Sequence, residues 1–256
     1  MCACRNWFAG AGSLGVPYGT GGPGCLSNQG QKLPCNFVDI TRAQFFWQAW
    51  SSLAFGSRGL FEYFYFQDPG HFHCREFMVY PGMLRSDGSE SDHYLDAQQV
   101  NSAVMALAPT LMQLRCTNVS FINQNDPSSQ LLPAEGGDPT CAGVAPGCLP
   151  WPTMAELHGS GLCPLKDVSG GAFIVGCFTH EHENRTQAAI LVNYEVTYNM
   201  FATIEFTDAV AATSAREVSQ VTGRDVAIVD AAPHMRGLQV LLRPGEGKLF
   251  VVRGGE

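Results

Sequence analysis

The chain has 256 residues, 45% of them hydrophobic, enough to build the cores of one to two domains. Its net charge is −8 and it holds no run of Lys or Arg, which argues against a nucleic-acid partner. It also lacks the roughly 18 uninterrupted apolar residues that a membrane-spanning helix needs.

Residues 1–40 are Gly-rich and carry no acid before Asp39. They read as an irregular segment with at most a short strand near Trp7-Phe8. "MCACRNWFAGAGSLGVPYGT" has no continuous apolar stretch and does not read as a signal peptide. Glycines in "AGAGSLG" and "GTGGPG" are not followed by the Lys-Ser/Thr or the acid of a nucleotide loop, so no cofactor is expected.

Thr41 and Gln44 form a T-x-x-Q capping box, which predicts a helix from about Thr41. Phe46, Trp50, Leu53 and Ala54 make one buried stripe, and Gly56 is placed to end the helix. "LFEYFYF" (60–66) then reads as a strand, apolar on both faces apart from Glu62. Such a strand suits a parallel sheet covered by helices. "SDHYLDAQQVNSAVMALAPTLMQL" places Leu95, Val100, Val104, Leu107, Leu111 and Leu114 along a long amphipathic helix, which Pro109 should kink or divide.

Residues 116–170 are rich in Pro, Gly and Cys and read as a connection, with one candidate strand at "VSFIN". From Gly171 onward the pattern changes. "AFIVGCFT", "QAAILVN", "MFATIEF", "AREVSQV", "DVAIVD", "GLQVLLR" and "KLFVVR" are short β-like runs separated by turn signals. They predict an antiparallel β-sandwich over 171–256, with its own core.

The helix–strand–helix string and the sandwich together resemble the C-terminal part of a (β/α)8-barrel glycoside hydrolase of the family 42 β-galactosidase kind. "FFWQAWSSLAFGSRGLFEYFYF" is similar to the last helix-and-strand unit of such a barrel. "GMLRSDGSESDHYLDAQQVNSAVMALAPTLMQL" resembles the loop and eighth helix that follow it. "FIVGCFTH", "AAILVNYE", "EVSQVTGRD" and "LLRPGEGKLFVV" resemble the small sandwich behind the barrel. The resemblance covers roughly 40–115 and 165–253. It implies an α+β, multidomain chain in which 41–115 is a partial barrel unit and a further barrel portion would precede it.

On that reading Tyr65, Gln67 and Asp68, where the strand ends, would contact a carbohydrate. An ordinary strand end with an Asp-Pro-Gly turn is the plainer alternative. Glu62, early in the strand, would either touch substrate or pair with Arg58 or Arg42. The family's two catalytic glutamates would precede "LFEYFYF". Only Asp39 stands there, so this chain is expected to be catalytically incomplete. "HFHC" (71–74) and the His180–Glu183 cluster offer ligand residue types, but without the converging set zinc needs, so no metal is expected.

Ten cysteines, most in irregular sequence, point to disulfides and an oxidising compartment. Asn118-Val119-Ser120 and Asn184-Arg185-Thr186 have the form of glycosylation acceptors. Secretion or the endomembrane lumen is the expected location, with the targeting signal outside this chain. Two functional expectations stand side by side. One is a fragment of a glycoside-hydrolase-like protein; the other is a non-catalytic carbohydrate-binding or scaffold module.

Overall fold

The computed structural model describes the backbone of 25–26 and 32–33, together with 41–60, 83–85, 87–123, 154–183, 185–207, 213–231 and 237–253. Two very short strands, β1 (Cys25–Leu26) and β2 (Lys32–Leu33), pair in antiparallel fashion. Helix α1 runs Arg42–Ala54 and α2 runs Asp92–Leu111. β3 (Leu114–Asn123) follows, and the short helix α3 (Met154–Gly159) precedes the remaining strands. These are β4 (Leu165–Ser169), β5 (Ala172–His180), β6 (Gln187–Asn193), β7 (Met200–Phe206), β8 (Ala215–Val218), β9 (Asp225–Val226), β10 (Leu238–Leu242) and β11 (Gly247–Val252).

α1 begins and ends as its sequence dictates. The Thr41 hydroxyl accepts from the Gln44 N–H at 3.3 Å, and the Gln44 side chain accepts from the Thr41 N–H at 2.8 Å. At the other end Gly56 takes φ +86. The N–H groups of Gly56 and Ser57 return to the Leu53 and Ser52 carbonyls, the paired bonds of a Schellman motif. α2 passes through Pro109 undivided, because the proline lies in its last turn. Leu95, expected on the buried stripe, is 55% exposed, whereas Val100 and Leu107 are buried. Leu114, expected on the helix, starts β3 instead.

The strands form a six-stranded sheet, β3-β5-β6-β11-β8-β9, and a three-stranded sheet, β10-β7-β4. Every strand pairing among the described residues is antiparallel. All seven runs expected after Gly171 contain a strand, although "DVAIVD" supplies only two residues of one. Two further strands come from the stretch read as a connection. β3 contains the candidate "VSFIN" and pairs with β5 along its length, and β4 pairs with β7.

The architecture has three layers. Phe173, Val175, Cys177, Leu191 and Phe250 of the large sheet pack against Ile204, Phe206, Val240 and Leu242 of the small one, with Met154 and Leu157 of α3 closing one margin. The opposite face of the large sheet, with Ile174, Phe178, Ile190, Val192 and Leu249, is covered by Trp50, Leu53 and Ala54 of α1 and by Ala103 and Leu107 of α2. β5 and β6 are therefore buried on both faces. A doubly apolar run need not lie in a parallel sheet; an antiparallel strand roofed by helices reads the same way. Of the "LFEYFYF" run expected to be a barrel strand, 61–66 lie outside the described residues. What the structure shows is mixed α and β structure with the two helices lying on an antiparallel sheet.

The helices approach that sheet closely because the sheet is notched with glycine. A Cβ on Gly176 of β5 would fall on the Ala54 carbonyl oxygen of α1. One on Gly245, in the turn before β11, would fall on the Ala43 carbonyl oxygen. Gly247 lies under the Trp50 indole, where a Cβ would be 2.6 Å from the ring. Gly223, after β8, makes the same accommodation for the Ala106 carbonyl of α2.

Candidate functional site

Glu62, Tyr65, Gln67 and Asp68 all lie outside the described residues, as do "HFHC", Asp39 and Asn184. The two arginines suggested as partners of Glu62 have other partners. Arg58, in the segment after α1, bridges to Glu181 in the β5–β6 turn and donates to the Leu114 carbonyl. Arg42 lies 3.6 Å from Asp96, hydrogen-bonds Gln99 and sits over the Phe46 ring at 5.1 Å, joining α1 to α2.

Asp96 is only 5% exposed. Burial holds its carboxyl above the usual carboxylate range, against the opposing pull of Arg42 and of His93, whose Nδ1 is 3.9 Å away. Ala97 and Val100, which follow it on α2, pack with Phe45, Ala49 and Met83 in one apolar cluster.

His180, Glu181, His182 and Glu183 form a structured turn. The N–H groups of His182 and Glu183 donate to His180 Nδ1 at 3.1 and 3.0 Å. With Nδ1 accepting, Nε2 carries the proton and donates to Gln113 Oε1 at 2.8 Å. The Glu183 carboxyl, held low first by the Thr186 hydroxyl, is likewise engaged. This is a cap on the β5–β6 turn, and among the described residues no group of three or more His, Cys, Asp or Glu is placed to hold a metal.

Asn118 stands within β3, half-buried, beside a register shift between Cys116 and itself. Val119 and Phe121 face the helices while Ile122 faces the inter-sheet core, so the pleat turns Asn118 and the buried Ser120 toward the inner side. Its cross-strand neighbour Cys177 is disulfide-bonded to Cys163. That bond ties the segment after α3 to β5. The disulfide expectation is met once among the described cysteines, by a pair that joins a loop to a strand.

Three arrangements left no sequence signal. Asn193, wholly buried at the end of β6, donates to the Tyr198 and Arg243 carbonyls at 3.2 and 3.0 Å and accepts from the Glu195 N–H at 2.9 Å. It fixes two loops at one end of the sheets.

The outward face of the small sheet carries Phe201, 48% exposed, directly across from Leu241, 40% exposed. Thr203 and Gln239 form the next pair on that face, and Glu205 pairs with Lys166 at 3.4 Å beyond it. The face thus combines an exposed apolar pair with flanking polar groups.

Beside α1, Trp47 meets Tyr194 edge-on at 5.5 Å, Tyr194 meets Phe121 at 6.3 Å, and Phe121 meets Phe55 at 6.0 Å. Trp47 Nε1 and Ser51 Oγ, one helical turn apart, are buried there without a hydrogen-bond partner.

No family model, curated protein or solved structure matches the chain. No helix among the described residues is long and apolar enough to cross a membrane.

Proposed function

We propose that this chain is the non-catalytic C-terminal portion of a glycoside-hydrolase-like protein that acts on carbohydrate, with a further barrel portion and a secretory or endomembrane setting. The observation that supports the reading is the seating of α1 and α2 on the large sheet. The two separate stretches of resemblance meet as one packed unit, α1 at Gly176, Gly245 and Gly247 and α2 at Gly223. The 256-residue chain should then turn over none of a panel of nitrophenyl glycosides, since both stereochemical routes need two flanking carboxyl groups. Transcript sequencing upstream of Met1 should reveal further strand–helix units with two glutamates at strand ends. Glycosidase turnover that survives re-purification would overturn the proposal, and so would an upstream sequence without such units.

The exposed Phe201–Leu241 pair favours a second reading, a non-catalytic carbohydrate-binding module. A glycan array is the test. Binding that Phe201→Ala removes and Phe201→Trp retains would support this reading. Absence of binding to any glycan, or binding indifferent to Phe201, would sink it.

A further inference from the structure

We draw no further inference here: the strongest candidate, the half-buried aromatic row of Trp47, Tyr194, Phe121 and Phe55 beside α1 with the buried Trp47 indole N–H and Ser51 hydroxyl, is an apolar face for which nothing in the structure shows what covers it.

Discussion

Gly176 of β5 lies directly beneath the Ala54 carbonyl of α1, with no room for a side chain between strand and helix. The obstacle is backbone, so trimming a neighbouring side chain cannot relieve it. Gly176→Ala should lift the C-terminal turn of α1 and cost about 1–3 kcal/mol, the usual range for overpacking. Trp50→Ala, which empties the site above Gly247, should cost more, about 3–5 kcal/mol. Denaturant unfolding of both variants would check the order. A Gly176→Ala protein as stable as the parent would show that the helix does not sit where described.

The Cys163–Cys177 bond closes a loop with a sequence separation of 14. For a loop of that size the expected stabilisation is about 3 kcal/mol. Replacing both cysteines with Ala should lower the unfolding midpoint by that measure. In non-reducing peptide mapping of the parent, these two cysteines should be found linked to each other. A different partner for either would contradict the assignment.

Asp96 sets a pH dependence whose sign follows from its raised folded value. Between its unfolded value of 3.8 and that folded value, the native state holds a proton that the unfolded chain has lost. Stability from this group therefore falls as pH rises through the window, and the ionised carboxylate is a net cost above it. Asp96→Asn should flatten the stability profile in the weakly acidic range and leave the protein at least as stable near neutrality. Thermal unfolding from pH 3.5 to 7 would show it. A variant that loses stability at neutral pH would mean the Arg42 pair outweighs burial.

Asn118 has an acceptor sequence but the wrong surroundings for a glycan. It lies in a paired strand on the inner side of the sheet, next to the wholly buried Ser120. Produced through a eukaryotic secretory route, the folded protein should carry no glycan at Asn118. Glycopeptide mass spectrometry would detect one, and full occupancy there would mean that Asn118 faces solvent rather than the inner side of the sheet.

The sequence was most legible where a signal is local. The Thr41–Gln44 box and the Gly56 stop act over one turn of chain, and both appear as written. The turns between the strands after Gly171 were equally plain. What the sequence hid was which layer each apolar face meets. "AFIVGCF" and "QAAILVN" state that both faces are buried, but they do not say whether helices or another sheet lie above them. For β3 the sequence offers only the candidate "VSFIN" within a stretch rich in Cys, Pro and Gly, because its partner β5 is distant in the chain, from Asn123 opposite Ala172 to Leu114 opposite His180. The proposed sugar-contact residues Tyr65, Gln67, Asp68 and Glu62 lie outside the described residues. Strand alternation already sets Phe201 on the Thr203 and Glu205 side of β7 and Leu241 on the Gln239 and Arg243 side of β10; what the sequence hid is that the two lie opposite each other, which the register of β7 on β10 fixes.

The large sheet works as a party wall, with a tenant on each side. Residues 171–253 alone would lose β4 and α3, and with them Met154, Leu157, Cys163, Leu165 and Val168 of the inter-sheet core. They would also lose β3, α1 and α2, leaving Ile174, Phe178, Ile190, Val192, Leu249 and Val251 facing water. A segment cut at Gly171 is therefore not the self-sufficient sandwich that its run of strands suggests, and it should self-associate rather than stay monomeric. In the whole chain, neither tenant can leave without stripping the wall. Helices and small sheet should accordingly come apart in a single calorimetric transition, and a protease that nicks between α2 and β3 should release nothing until that transition is reached.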